Sequence, residues 1–352
     1  MDKKPIDKKT EKTKAVALLS GGLDSTLAVK LMIDQGIDVH ALNFTSAFCT
    51  CDAGAKDSGC KSQARRVAAE FDIPVKVLYK GMEYVNIVRN PKHGYGSGVN
   101  PCLDCRVYIF KLAKDYMDEI GGSFIITGEV LGQRPMSQRR DTFKIIDEES
   151  ELEGLILRPL CAKHLEPTIP EKTGLVDREK MLDMVGRTRK PQIELAKDLK
   201  VEDYPCPSGG CLLTDKIFSK KVRDLFENNK ELETNDLQKI KIGRHFRYNN
   251  IKIVVGRNEA ENERLKTLAT EHDTLLEPLN FSGPNALICF EDNSGGESTD
   301  DAVPFAVSLI KRYSGEKAKE GETVTVTTGS NTREVLTSTT AENDLIESIR
   351  VC

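Results

Sequence analysis

A glycine-rich turn near the start of the chain has the composition of an anion-binding loop. Its residues are Ser20, Gly21, Gly22, Leu23, Asp24 and Ser25. It lies between an apolar run at 15–19, typical of a buried strand, and a stretch with helical spacing at 26–33. In such a turn the glycines let backbone N–H groups approach phosphate oxygens, and the helix N-terminus favours negative charge. The alternative is a plain turn in which a Ser or Asp side chain caps the helix.

The ten cysteines indicate thiol or metal chemistry, because no export signal accompanies them and a disulfide framework is then not expected. Cys102 and Cys105 form a C-x-x-C before a predicted helix, where the helix N-terminus and Arg106 favour a thiolate. Cys211 lies beside a glycine turn much later in the sequence. A group after the second predicted strand is open to three interpretations (a metal knuckle, an extra thiol relay or incidental cysteines): Cys49, Cys51 and Cys60. Three isolated cysteines are predicted to be packing or tail residues: Cys161, Cys289 and Cys352.

Alternating strand-like and helix-like stretches in the first two hundred residues predict βαβ units, and hence a parallel sheet covered on both faces. The predicted strands are 15–19, 39–44, 74–78, 123–127 and 155–157, and the predicted helices are 26–33, 62–71, 107–120, 177–185 and 190–199. Ligands of open α/β sheets bind at the carboxyl ends of the strands. We therefore expect the glycine-rich turn to share one crevice with Asn43, Thr127 and Gly128.

A strand-rich and locally basic region follows residue 215. Charged helices are predicted at 216–229 and 259–269, a hairpin within 239–257, and a strand at 286–290. From Gln238 to Asn258 there are six Lys or Arg and no acid, with Phe246 and Tyr248 among them. Such a surface can neutralise phosphates and stack on bases, although a solvated sheet edge has similar composition. The predicted RNA contacts are Lys241, Arg244, Arg247, Lys252 and Arg257.

Length and charge predict a soluble, cytoplasmic, two-domain protein without a membrane segment. The chain has 352 residues, 30% of them charged, and a net charge of −4, so any nucleic-acid contact must come from a local patch. The expected organisation is a flexible tail at 1–13, a nucleotide domain at 14–215, a smaller α+β domain at 216–314 and a partly flexible tail at 315–352.

The glycine-rich turn resembles the PP-loop of ATP pyrophosphatases, which cleave ATP between the α and β phosphates. An ordered set of further motifs resembles tRNA thiouridine synthetases: Asn-Pro-x-x-x-Cys at 100–105, Thr-Gly at 127–128, a Lys-Pro helix at 190–196 and Gly-x-Cys at 209–211. This resemblance covers about 14–215 and implies the parallel-sheet fold of adenine nucleotide α-hydrolases. The segment from Gly243 to Asn262 resembles the RNA-binding domain of the NFACT family.

The resemblance implies that ATP adenylates a uridine carbonyl oxygen, which sulfur then replaces at C2 or C4. It assigns catalytic roles to Asp24 and to two sulfur-handling cysteines, Cys105 and Cys211. The nucleotide would be bound, with Mg²⁺, by Ser20, Gly21, Gly22, Asp24, Ser25, Asn43, Thr127 and Gly128. Charge on pyrophosphate could be stabilised by Arg134, Arg187 and Arg189.

The sulfur carrier is open at this point. Cys102, Cys105 and Cys211 match the ligand count of a [4Fe–4S] cluster with one open iron. The alternatives are a persulfide relay, or a zinc site completed by Cys206. The implied partners are tRNA and a sulfur donor, either a cysteine desulfurase persulfide or sulfide, and a homodimer is left open.

Two other functions fit part of the sequence. A PP-loop ligase or amidotransferase would use ammonia and need no thiols. A non-catalytic RNA-binding protein would carry a degenerate nucleotide domain, which the complete loop at 20–25 argues against.

Overall fold

The computed structural model describes residues 12–49, 60–201, 204, 211–291, 299–315, 321–337 and 340–351, with only the backbone at 60, 61 and 299. The chain divides into two compact units. The N-terminal unit comprises Met1–Gly96 and Asn100–Cys211, and the C-terminal unit comprises Ser97–Val99 and Leu212–Cys352. None of the helices in the described ranges combines the length and apolar character needed to span a bilayer.

The N-terminal unit is a five-stranded parallel sheet with helices on both faces, as predicted. Its strands are β1 (Lys14–Leu18), β2 (Asp38–Ser46), β3 (Val75–Lys80), β4 (Phe124–Thr127) and β5 (Ile156–Leu157). Its helices are α1 (Leu23–Ile33), α2 (Cys60–Glu70), α3 (Met82–Arg89), α4 (Cys102–Ile120), α5 (Arg140–Glu149), α6 (Ile169–Lys172) and α7 (Lys190–Asp198). The strand order is β3-β2-β1-β4-β5, and β1 is central.

The sequence of β1 explains how both faces of this sheet are covered. Ala15 and Ala17 point into one apolar cluster, which includes residues of α1, α2 and α7. Val16 points into the opposite cluster, against α4 and α5. Side chains alternate along a strand, so a strand that is apolar at every position must be buried on both sides.

The C-terminal unit is a six-stranded antiparallel sheet. Its strands are β6 (Arg244–Tyr248), β7 (Ile251–Val255), β8 (Thr274–Pro278), β9 (Ala286–Cys289), β10 (Thr323–Thr328) and β11 (Asn331–Leu336), in the order β11-β10-β8-β9-β7-β6. Its helices are α8 (Lys216–Asn228), α9 (Thr234–Lys239), α10 (Glu259–Leu268), α11 (Thr299–Ser314) and α12 (Asn343–Ile349). Residues of α11 pack on one face of the sheet, and Leu265 of α10 packs on the other.

Two predictions of local structure are wrong. The helix expected at 177–185 is only a single 3-10 turn at Arg178–Lys180, because Met181 and Met184 enter the core from extended backbone. The segment expected as a partly flexible tail from 315 contributes β10, β11 and α12. Alternation places Val324 and Val326 in the core, a strand pattern that the Thr-rich composition obscured.

Candidate nucleotide and thiol site

The glycine-rich turn forms a compact loop between β1 and the N-terminus of α1. Gly21 has a φ of +78°, and a Cβ atom there would lie 2.6 Å from the Cβ of Gln63 in α2. Only glycine fits both this conformation and this contact. The Ser20 and Ser25 hydroxyls are 3.1 Å apart, and Ser25 donates a hydrogen bond to the Gly22 carbonyl. The hydroxyls and the first N–H groups of α1 therefore share one small region, which suits an anion.

Residues of β2 and β4, the two strands that flank β1, lie around this loop, as the sequence predicted. Asn43, in the second half of β2, donates a hydrogen bond of 2.8 Å to the Leu19 carbonyl. Gly128 follows β4, and a Cβ atom at this position would lie 2.5 Å from the backbone of Asp24. Thr127 and Gly128 both line the cavity described next. A side chain at position 128 would therefore clash with the Asp24 backbone, which explains why a glycine follows Thr127.

A cavity of about 440 Å³ lies at this edge of the sheet. Five of the side chains that line it are cationic: Lys80, Arg106, Arg134, Arg187 and Arg189. Among the described residues, several buried polar atoms that lack a hydrogen-bond partner also belong to its lining: Asp24 Oδ1, Asn43 Oδ1, Glu129 Oε1, Gln138 Oε1 and Arg189 Nε. Buried polar groups are normally paired, so their concentration here indicates a site for a polar, anionic ligand.

Asp24 has one engaged and one unengaged carboxylate oxygen. Its Oδ2 accepts a hydrogen bond of 3.1 Å from Gln133 and lies 3.9 Å from Arg189 Nη2. Its Oδ1 has no hydrogen-bond partner. A fixed carboxylate with one oxygen available is a suitable ligand for Mg²⁺, a cation that prefers oxygen donors.

A buried ionic network forms the wall of the cavity beside β4. Arg158 donates to Glu129 at 3.1 Å and to Asp147 at 2.7 Å. Arg106 lies 3.4 Å from the other oxygen of Glu129. Burial raises the pKa of Asp147 above its ordinary value, although Arg158 opposes this shift. The network fixes Glu129 and orients Arg106 of α4 toward the nucleotide cavity.

The Cys105 thiol lies next to this cavity. Its Sγ is 3.4 Å from Lys80 Nζ, and Lys80 lines the cavity wall. The same ammonium group lies 3.8 Å above the ring centroid of Tyr84. Burial raises the pKa of Tyr84 well above its ordinary value, and the nearby sulfurs of Cys105, Cys211 and Cys49 raise it further. Three thiols are therefore grouped around one hydroxyl.

The described thiols do not form a metal site as they stand. No group of three or more His, Cys, Asp or Glu side chains in the described ranges is placed to hold a metal ion. Cys102 accepts a hydrogen bond from Asn100, and burial raises its pKa despite the opposing charge of Arg106. Cys51 and Cys206 lie outside the described residues. The ligand set predicted for a [4Fe–4S] cluster, Cys102, Cys105 and Cys211, stays a prediction.

Two isolated cysteines are packing residues, as predicted. Cys161 and Cys289 are both buried, which raises their pKa values to about 11 and about 12. The third, Cys352, lies outside the described residues.

The basic hairpin exists, but its side chains are engaged within the C-terminal unit. Asn249 and Asn250 have φ values of 45° and 60°, as in a hairpin turn of type I′. Phe246 is fully buried, so the expectation that it stacks on bases is wrong. Arg247 binds the Asp224 and Glu291 carboxylates at 2.7 Å, and Lys252 is buried against Asp224. Internal carboxylates therefore engage Arg247 and Lys252, two of the predicted RNA contacts.

The remaining basic positions are placed differently. The Arg244 guanidinium lies 4.4 Å from the ring centroid of Tyr313, and its Nη1 donates to the Gly256 carbonyl. Arg257 pairs with Glu261, and its side chain is half exposed. Lys241 is partly exposed.

The sequence analysis missed two residues of the site, Lys80 and Gln133. Lys80 is the last residue of β3, so the rule that identified Asn43 and Thr127 at strand ends could also have identified it. Gln133 lies in a loop, with no motif to mark it.

Two family models and several known proteins match this chain. Residues 10–169 match the family described as thiamine biosynthesis protein (ThiI), and residues 243–349 match the NFACT protein RNA binding domain. The tRNA-specific 2-thiouridylase MnmA of Parvibaculum lavamentivorans is 27% identical over 184 residues, covering 48% of this chain and 46% of that protein. A tRNA sulfurtransferase of Psychromonas ingrahamii is 27% identical over 194 residues, covering 51% of this chain and 38% of that protein. A solved 4-thiouridine synthetase–RNA complex with bound ATP has 20% identity and a TM-score of 0.34, covering 54% of this chain and 52% of that chain.

The chain spans less than half the length of these two relatives. Both relatives are tRNA thiolation enzymes by name, and each family match falls on the segment where the corresponding motifs occur. The match at 10–169 includes the glycine-rich turn and the Asn-Pro-x-x-x-Cys and Thr-Gly motifs, and the match at 243–349 includes the basic hairpin.

Proposed function

We propose that this protein is an ATP-dependent tRNA sulfurtransferase that converts a uridine to a thiouridine and releases AMP and pyrophosphate. The observation that carries the proposal is the position of Lys80. It lines the anion-binding cavity and also contacts the Cys105 thiol at 3.4 Å. A nucleotide bound in this cavity would therefore lie close to a sulfur nucleophile.

The loop and the strand ends supply the nucleotide site. The triphosphate would be held by the backbone and hydroxyls of the loop at 20–25, at the N-terminus of α1. Asn43, Thr127 and Gly128 would line the site at the ends of β2 and β4. Asp24 would bind Mg²⁺ through its unengaged oxygen, and Mg²⁺ supplies neutralisation of phosphate charge when bound.

The cationic residues of the cavity would serve the adenylation step. The uridine carbonyl oxygen attacks the α-phosphorus, the bond to the β-phosphate breaks, and negative charge develops on the departing pyrophosphate. Arg134 and Arg187 line the cavity and have no carboxylate partner in the described part of the chain, so their charge is available to pyrophosphate. Adenylation is needed because an amide-like carbonyl is a poor electrophile whose oxygen is a poor leaving group.

The sulfur step would then use Cys105 and Cys211. A donor delivers sulfur to Cys105 as a persulfide, whose terminal sulfur attacks the activated ring carbon and displaces AMP. The Cys211 thiolate attacks Cys105 Sγ, which breaks the S–S bond, leaves sulfur on the uridine and forms a Cys105–Cys211 disulfide. Lys80 stabilises the anionic persulfide on Cys105 before it attacks the ring carbon.

A cluster-dependent route would instead use Cys102, Cys105 and Cys211 as ligands of a [4Fe–4S] cluster, which would supply an open iron for sulfide. Anaerobic purification followed by an iron count and an absorption spectrum separates the two routes. A persulfide relay predicts less than one iron atom per chain.

The C-terminal unit would deliver tRNA. Residues 243–349 match an RNA-binding family, and the basic side chains that remain suitable for phosphate contact are Lys241, Arg244 and Arg257. We also propose that a separate sulfur donor supplies the persulfide and that the protein forms a homodimer, and both are tested in solution.

Nucleoside mass spectrometry of tRNA from a deletion strain tests the function. We expect one thionucleoside to disappear and to return with the wild-type gene or with Cys289→Ala, a change in the other unit. Genes carrying Cys105→Ser or Cys211→Ser should not restore it. Unchanged thionucleosides in the deletion strain, or full rescue by both serine variants, would contradict the proposal.

A further inference from the structure

Cys49 lies directly opposite Cys211. The two residues form an isolated antiparallel bridge between the loop after β2 and the chain before α8. Directly opposed residues in antiparallel pairs have Cα atoms about 4.5–5.5 Å apart, which is within the range of about 4.4–6.8 Å that a disulfide requires. A bond between these sulfurs therefore needs no movement of the backbone.

The surroundings of Cys49 suit a reactive sulfur. Its Sγ accepts a hydrogen bond of 3.2 Å from the Ser46 backbone N–H and lies 3.4 Å from the Ser46 hydroxyl. The thiol is partly exposed. The adjacent Phe48 is fully buried and packs edge-on against Tyr84, with the ring centroids 6.2 Å apart. The buried ring anchors the loop, so the sulfur is held in place and remains accessible to solvent.

Cys105 is placed to act as a leaving group. Its sulfur lies 3.4 Å from the Lys80 ammonium. This positive charge stabilises a departing thiolate. In thiol–disulfide exchange the sulfur that is better stabilised as an anion leaves more readily.

We propose that Cys49 is a third relay thiol, which resolves the Cys105–Cys211 disulfide left by each turnover. This inference depends on the persulfide route of the proposed function. The Cys49 thiolate attacks Cys211 Sγ, a Cys49–Cys211 bond forms, the Cys105–Cys211 bond breaks, and Cys105 leaves as a thiolate. No electrons are gained or lost in this exchange, and an external dithiol later reduces the Cys49–Cys211 disulfide. Cys105 is thereby free to accept the next persulfide.

Disulfide mapping after one turnover tests this inference. The full-length protein is incubated with tRNA, ATP and one equivalent of a persulfide donor without reductant, quenched in acid, alkylated and digested, and its cross-linked peptides are sequenced by mass spectrometry. We expect Cys49–Cys211 as the main disulfide in the wild type. In Cys49→Ser we expect Cys105–Cys211 instead. Cys51→Ser, two residues further along the sequence, is the matched control and should behave like the wild type.

Each outcome bears on one claim. Thionucleoside formation with Cys105–Cys211 as the main disulfide in the wild type would overturn the role of Cys49 and leave the proposed function standing. A Cys51–Cys211 disulfide would also overturn it. If neither thionucleoside nor disulfide appears in the wild type, the proposed function itself fails. The wild-type result needs no variant, so a folding defect in Cys49→Ser cannot hide the answer.

Discussion

The two groups of basic side chains in this molecule have opposite surroundings. In the nucleotide cavity, Arg134, Arg187 and Lys80 line the open volume and have no carboxylate partner among the residues that the structure describes. In the hairpin of the C-terminal unit, Arg247 and Lys252 are satisfied by nearby acids. The first arrangement leaves positive charge for a ligand, whereas the second uses it to hold the fold together. Residue type alone does not distinguish the two.

The largest effect is expected at the carboxylate of the cavity. Asp24→Asn removes the charge that would hold Mg²⁺ and the counter-charge beside Arg189, so pyrophosphate release should fall at least ~100-fold. Asp34→Asn at the other end of α1 is the matched control, since Asp34 is exposed and pairs only with Lys30 in the described residues. A steady-state pyrophosphate assay with tRNA makes the measurement. Equal rates in the two variants would remove Asp24 from the site.

A pair of Arg→Met variants tests the difference between the basic side chains of the cavity and those of the hairpin. Arg187→Met should lower pyrophosphate release by about 10- to 100-fold and leave the free energy of unfolding nearly unchanged. Arg247→Met should instead destabilise the C-terminal unit by about 3–5 kcal/mol, because buried Glu291 would lose its cationic partner and Asp224 would keep only Lys252. Denaturant unfolding and activity, measured on both variants, should show this crossed pattern. The reverse pattern would mean that the two groups have been assigned the wrong way round.

These two regions also show how far the sequence could predict the molecule. The loop at 20–25 was predictable because a strand, a turn and a helix start are local features. The partners of Arg247 were not, because Asp224 and Glu291 lie on other elements and are brought to it only by the fold. A count of basic residues along the chain carries no information about such distant acids.

The stability of the protein should depend on pH because His245, in the first strand of the hairpin, is fully buried. Burial lowers the pKa of His245 well below its ordinary value, and the charges of Lys252 and Lys221 lower it further. The unfolded chain then binds a proton below about pH 6.5 that the folded chain does not, so stability is lost as the pH falls through this value. Unfolding midpoints at pH 7.5 and 5.5 should differ less in His245→Gln than in wild type. His272→Gln, an exposed position, should keep the wild-type difference.

The smallest effect is expected at Arg257. Its side chain is half exposed and pairs with Glu261, so Arg257→Met should cost less than about 1 kcal/mol of stability. If Arg257 contacts a phosphate, the slope of log affinity for tRNA against log salt should decrease by about one. A salt titration of binding makes the test, and an unchanged slope would remove Arg257 from the RNA surface.

The central claim is that the cavity activates uridine for a sulfur nucleophile on Cys105. It is tested most directly by measuring pyrophosphate release and thionucleoside formation together, in one reaction with tRNA, ATP and a persulfide donor. The wild type should release one pyrophosphate for each sulfur incorporated, and Cys105→Ser should still release pyrophosphate but form no thionucleoside. Thionucleoside formation by Cys105→Ser at the wild-type rate would contradict the account.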